Sequence, residues 1–206
     1  MEREALAERL AGPCRDFGVA LECESAHALA RYVDLLLEWG SRVNLTSART
    51  AEEIVDDHLA DALAVVSAVP TGASSLIDVG AGAGLPGVVV AILRPEVPCT
   101  LLEPRTRRWA FLREVRRTLG LHTLTPVQER LEDHVSREGF HPFAVAVSRA
   151  TWPLPEWLER GAGLVEPGGR VIGLEGMGAT ELPPGAVRTP YRLARRAGAV
   201  VVLDLP

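Results

Sequence analysis

The stretch Ser75-Leu-Ile-Asp-Val-Gly-Ala-Gly-Ala-Gly-Leu-Pro-Gly87 constrains this chain more than any other. A short apolar run, Leu76 to Val79, meets four glycines within eight residues, Gly80, Gly82, Gly84 and Gly87, and a second apolar segment, Val88 to Leu93, follows. Glycine lacks the Cβ that disfavours positive φ, so this spacing lets the backbone turn sharply and approach a ligand closely. The helix that follows would aim unpaired N–H groups into the loop. A strand, a glycine turn and a helix in that order read as the cofactor-binding unit of an α/β fold.

Two cofactor frames fit the turn. A dinucleotide fingerprint, G-x-G-x-x-G, falls on Gly82-Ala-Gly84-Leu-Pro-Gly87, with Glu103 about twenty residues further on; it would favour an NAD-binding oxidoreductase. The other frame is Asp78-x-Gly80-x-Gly82-x-Gly84, which begins where the strand stops. The strand ends near Asp78 or Val79, so the dinucleotide frame starts several residues late and puts Pro86 inside the phosphate turn. The second frame suits a ligand with an amino group and no pyrophosphate, which Asp78 would hold directly or through water. S-adenosylmethionine is such a ligand. Glu103, closing the apolar run Thr100-Leu-Leu102, would then accept both hydroxyls of its ribose. Leu85 would pack under the cofactor and offer its N–H, although a core leucine would look the same from sequence.

Around the loop, β and α patterns alternate. Strands are predicted at 75–79, 99–103, 123–127, 143–148, 170–175 and 199–204, and helices at 86–93, 105–119, 129–136 and 154–164. Such alternation predicts an α/β, Rossmann-like domain whose mainly parallel sheet is covered on both faces. Ligands of these sheets sit at the carboxyl ends of the strands. Asp78, Glu103, Gln128 and Ser148-Arg149 all fall at predicted strand ends, so they should converge on one cleft. Before them, 2–11 and 25–39 read as amphipathic helices and 51–69 as a third, opened by a Thr50/Glu53 capping box. The chain therefore divides into a helical extension over 1–70 and the α/β domain over 71–206. The Pro/Gly-rich stretch 176–190 reads as a loop before the last hairpin.

Charge bears on the partner. All 22 basic residues among the 206 are arginine, and the net charge is −5. The acid excess is confined to residues 1–70, with 6 arginines against 13 acidic residues; 71–206 carry 16 arginines against 14. Between Arg94 and Arg117, seven arginines face three glutamates. Arginine binds phosphate bidentately and stacks on bases, so this cluster fits an RNA footprint, or else a solvated helix face. Cys14, Cys23 and Cys99 show no metal or disulfide spacing. No metal site, membrane span or secretory signal is expected, and reduced thiols point to the cytoplasm.

Further segments extend the picture: Asn44-Leu-Thr-Ser-Ala-Arg49, His58-Leu-Ala-Asp61, Arg94-Pro-Glu96, Thr100-Leu-Leu-Glu103, Phe111-Leu-Arg113, Val127-Gln-Glu-Arg130, Ser148-Arg-Ala150 and Pro167-Gly-Gly-Arg170. With the glycine loop, this ordered set resembles the bacterial 16S ribosomal RNA guanine-N7 methyltransferase family, also called glucose-inhibited division protein B. The resemblance runs from about residue 30 to residue 176. It implies a class I S-adenosylmethionine-dependent methyltransferase with a seven-stranded sheet, modifying N7 of a guanine, guanine 527, in 16S rRNA of the small ribosomal subunit. It also implies that Leu131-Glu132 border the adenine and that Arg149 belongs to the cofactor or substrate site. From the residues alone, Glu129 and Glu132 are equally well acids at a helix start. Guanine N7 has a lone pair and no proton, so a catalytic base is not required and positioning should dominate.

Four points remain open in the sequence. His58 and Asp61 share a helix face and form either a histidine–carboxylate base or, more plainly, a structural tie to the α/β half. Trp152 is a candidate for stacking on a base. Glu175 stands where the family commonly has lysine, which together with the acidic first 70 residues motivates an alternative, a non-catalytic ribosome-assembly protein of the same fold. No interface pattern stands out, so a monomer is expected.

Overall fold

The computed structural model describes residues 1–206 apart from Met177 and Ala179, which also place part of the expected 176–190 loop outside the described residues. Helix α1 (Arg3–Phe17) runs past the expected end and through Pro13, stopping at Gly18, whose φ of 64° only glycine adopts readily. Helix α2 (Cys23–Gly40) buries Leu29, Val33 and Leu36 at helical spacing. The third helical segment begins with the expected capping box, in which the Thr50 side chain accepts from the Glu53 N–H and Glu53 reaches back. It is not one regular helix. α3 (Ala51–Glu53) passes into a π-helical stretch, Ile54–Leu59, before α4 (Ala60–Ala68). Such π turns collect at functional sites, and this one carries His58.

Seven strands follow: β1 (Leu76–Val79), β2 (Cys99–Leu102), β3 (Leu124–Val127), β4 (Phe143–Ser148), β5 (Val165–Glu175), β6 (Ala186–Arg192) and β7 (Ala197–Asp204). They lie in the order β3-β2-β1-β4-β5-β7-β6. The first five are parallel, and β7 runs antiparallel between β5 and β6. Helices α5 (Gly87–Leu93), α6 (Thr106–Leu119), α7 (Leu131–Val135) and α8 (Leu154–Ala162) fill the connections. β6 occupies the end of a stretch that the sequence assigns to a loop. It is an edge strand, paired only with β7, so Pro190 is tolerated there and little apolar alternation is needed.

Strand alternation sorts the core into two layers. Leu76, Leu101, Val145, Val147 and Ile172 share one continuous cluster with α1, α2, α4, α5 and α6. Ile77, Val79, Leu102, Ala146 and Val171 pack on the other face against Leu131, Trp157 and Leu158. The helices before residue 70 thus build on the same core as the sheet rather than on one of their own. No helix among the described residues is long and apolar enough to cross a membrane.

A shared core should unfold as a unit. Leu63 in α4 is fully buried in it. Leu63→Ala should therefore cost about 2–5 kcal/mol. In urea, followed by helical circular dichroism and by tryptophan fluorescence, the two transitions should stay superimposed. Separate transitions would assign the extension a core of its own.

Candidate functional site

The strand order reverses at β1, since β2 lies on one side of it and β4 on the other. A crevice must open there at the carboxyl ends of the strands. A cleft of about 830 Å³ occupies that place, walled by Gly80–Ala83 after β1, Leu102–Arg105 at the end of β2, Glu129–Glu132 after β3 and Arg149–Trp152 after β4. Leu45, Val79, Leu85 and Arg108 complete the wall.

The glycines divide the work. Gly80, Gly82 and Gly84 all have positive φ. A side chain on Gly80 would strike Thr151 Oγ1 at 2.5 Å, and one on Gly84 would strike Val88 at 2.4 Å and Leu112 at 3.0 Å. Those two are small so that the protein can pack against itself, and Gly84 does not line the cleft. Gly82 differs, because a Cβ there would come no nearer than 3.8 Å to any neighbour. Nothing in the protein's own packing requires the glycine there. The loop is pinned from outside by the Tyr32 hydroxyl, which donates to the Ala83 carbonyl at 2.6 Å.

Two carboxylates support the loop, in different ways. Glu103 is 3% exposed; Oε2 accepts from Gly82 N–H at 2.9 Å and Oε1 from Arg105 N–H at 2.8 Å. A carboxylate offers about four lone-pair positions, so each oxygen keeps capacity for a hydroxyl while the backbone fixes the group's direction. Asp78 requires a correction. The sequence places it at the cofactor's amino group; the structure turns it away from the cleft, 1% exposed, with Oδ2 accepting from Gly87 N–H at 2.9 Å. Alternation is the reason: Ile77 and Val79 point to the opposite layer, so residue 78 lies under α5. The start of α5 is thereby occupied by a carboxylate instead of standing open to the loop. A pyrophosphate at that helix terminus would meet a buried acid, so the dinucleotide frame fails on structural as well as sequence grounds.

Burial pushes the Asp78 carboxyl up to about 7, with the Gly87 bond and Arg149 opposing the rise. Leu131 and Glu132 line the cleft beside Glu129, which pairs with His134 at 2.9 Å. Arg149 enters from the turn after β4, where Ala150 adopts a φ of 57°. Trp152 also lines the wall, but it stacks on Trp157 at 5.9 Å and lies under the Arg160 guanidinium at 5.3 Å, so its ring is already engaged. His58 and Asp61 do not pair as a base. The histidine meets Thr46 Oγ1 at 2.6 Å, whereas Asp61 contacts Arg149 and Tyr191 and so ties α4 to the sheet half.

Sequence reasoning misses two contributors. Arg108 spans from the cleft to the Asn44 carbonyl at 2.8 Å, and this brings Leu45 to the rim. The only signal was their membership of the arginine cluster and of the Asn44-Leu-Thr46 segment. Glu175 is another surprise. It is buried and bonded to Arg188 at 2.7 Å and to Thr180 N–H at 2.8 Å. Burial raises its pKa, yet those bonds prevail and hold it below the usual range. It is an internal ion pair and not an acid presented to RNA.

Sheet order and cleft together define a Rossmann-like fold of the class I methyltransferase type. A protein assigned as an O-methyltransferase from Klebsiella pneumoniae shares this fold, with a TM-score of 0.60 at 14% identity over 85% of this chain and 90% of that one. Residues 25–182 match the family model for rRNA small subunit methyltransferase G, GidB. The Ribosomal RNA small subunit methyltransferase G of Myxococcus xanthus is 35% identical over 88% of this chain and 83% of its own length. That of Halorhodospira halophila is 36% identical over 85% and 79%. The chain belongs to the rRNA small subunit methyltransferase G family.

Two outcomes follow from the site. Gly82→Val should fold, losing about 1–3 kcal/mol to the positive φ, while calorimetric binding of S-adenosylmethionine disappears; unchanged affinity would make the loop merely structural. For Asp78 the pKa is raised from 3.8 to about 7 on folding, so the folded state binds the extra proton and stability declines as pH rises between those values. Asp78→Asn, which still accepts from Gly87, should remove that decline, gaining up to about 4 kcal/mol at pH 8 and nothing at pH 3. Parallel urea-midpoint curves for the two proteins across this range would contradict it.

Proposed function

We propose that this protein transfers the methyl group of S-adenosylmethionine to N7 of a guanine in 16S rRNA, guanine 527 by family resemblance. The observation that carries the cofactor is the Glu103 carboxylate, held by two backbone N–H groups on the wall of a cleft whose bonded glycine, Gly82, no neighbour's packing requires. The residues present fit the ligand: Glu103 would accept the ribose hydroxyls, Gly82 would let the chain pass close, and Leu131 and Glu132 would border the adenine. Arg149 would meet the amino-acid carboxylate with its planar fork. Asp78 acts on the cofactor only through the loop it holds. When bound, the cofactor supplies an electrophilic methyl on sulfonium.

The protein's own task is then positioning. N7 needs no deprotonation, so the walls after β3 and β4 have to align the base, exclude water and tolerate charge developing on the ring. The family membership and the internal pairing of Glu175 with Arg188 favour this reading over a non-catalytic assembly role. We further infer action as a cytoplasmic monomer on the small subunit without a metal.

Mapping N7-methylguanosine by reduction and aniline cleavage of 16S rRNA tests the assignment. One cleavage should vanish when the gene is deleted and return on complementation; an unchanged pattern would end the proposal.

The exposed face of α6 supplies a second test. Arg113 lies over Trp109 at 4.9 Å, and Arg117 pairs with Glu114 at 2.6 Å while remaining 74% exposed. Neutralising Arg113, Arg116 and Arg117 together should weaken subunit binding and lower its salt slope by up to about three phosphate contacts, with cofactor affinity unaltered. An unchanged slope would place the RNA on another face.

A further inference from the structure

The chemistry above leaves one buried carboxylate without a role. Asp61, on the first turn of α4, is 1% exposed and gathers three partners from two distant parts of the chain. The Tyr191 hydroxyl on β6 donates to Oδ1, while Arg149 Nη1 and Arg196 Nη1 lie 3.4 and 3.5 Å from Oδ2. Burial, and next to it the Asp61 charge, raise the Tyr191 pKa, so the phenol stays protonated and remains a donor. His58 takes no part, being turned to Thr46.

The distances say what this carboxylate does to Arg149. A closed charge-assisted pair measures about 2.7–2.9 Å; the contact between Arg149 and Asp61, at 3.4 Å, is longer, and Arg149 also lines the cleft. The other end of the side chain is fixed as well. Ser148 Oγ donates to the Val79 carbonyl at 2.8 Å, and Ala150 holds a φ of 57° that few residues other than glycine accept. Arg149 is thus anchored through its backbone to β1 and through its guanidinium to α4, with the cleft between.

We propose that Asp61 is a positioning residue for Arg149: set by Tyr191 and Arg196 of the C-terminal hairpin, it holds the guanidinium on the cleft wall where the cofactor's carboxylate is received. The inference rests on the S-adenosylmethionine reading of the cleft. A carboxylate that only braced the fold would leave ligand affinity alone apart from general loosening. One that aims Arg149 loses its effect on affinity once Arg149 is gone.

A double-mutant cycle reads that difference. Affinity for S-adenosylmethionine is measured by calorimetry on the full chain for wild type, Asp61→Asn, Arg149→Gln and the double variant, with thermal unfolding in parallel. Arg149→Gln should weaken binding about tenfold or more, Asp61→Asn nearly as much, and the double variant no further than Arg149→Gln alone. The thermal midpoint should fall with Asp61→Asn in both backgrounds, because Tyr191 and Arg196 also lose their partner. If Asp61→Asn does not fold, Tyr191→Phe replaces it, expected to weaken binding several-fold in wild type and not at all beside Arg149→Gln. Equal loss in both backgrounds, or no loss in wild type, would overturn the positioning role. Absence of binding by wild type would instead sink the cofactor reading itself, and this proposal with it.

Discussion

The hydrogen bond from Gly87 N–H to the buried Asp78 carboxylate fixes the geometry on which the site depends. It joins the middle of β1 to the first turn of α5, and the loop between them has no freedom to drift. With its far side tied to Tyr32 and its near side to Glu103, the loop keeps one glycine, Gly82, free of steric conflict on the cleft wall. The same bond closes the helix terminus to phosphate. A residue that does not line the cleft therefore helps to set the loop that does.

Charge is handled by a similar economy. The chain is acidic overall, yet three of its acids are held in internal contacts: Asp78 on a backbone N–H, Asp61 beneath two guanidinium groups, Glu175 against Arg188. What remains outward on α6 is mostly arginine, a rigid fork suited to phosphate and to stacked bases. A net charge of −5 and an RNA substrate are compatible because the sign of the total says little about the sign of one face.

Much of this was legible in the sequence. The alternation of elements yields the parallel strands β1 to β4 and the cleft at their ends, and Glu103, Leu131, Glu132 and Arg149 are brought to it. Three things were not legible, for separate physical reasons. Asp78 and Gly84 match a ligand motif, but the pleat turns the first under α5 and packing against Val88 claims the second. β6 lacks an apolar pattern because an edge strand with a proline needs none. Arg149 and Tyr191, two of the partners of Asp61, lie 88 and 130 residues away in the chain, and no local pattern announces a contact of that range.

The central claim is that the loop and Glu103 hold S-adenosylmethionine and not a dinucleotide. Calorimetric titration of the purified chain with each ligand in turn tests it most directly. One molecule of S-adenosylmethionine should bind per chain, with the heat lost in Glu103→Ala, and NAD should give none. Binding of NAD alone, or S-adenosylmethionine affinity indifferent to Glu103, would contradict the account.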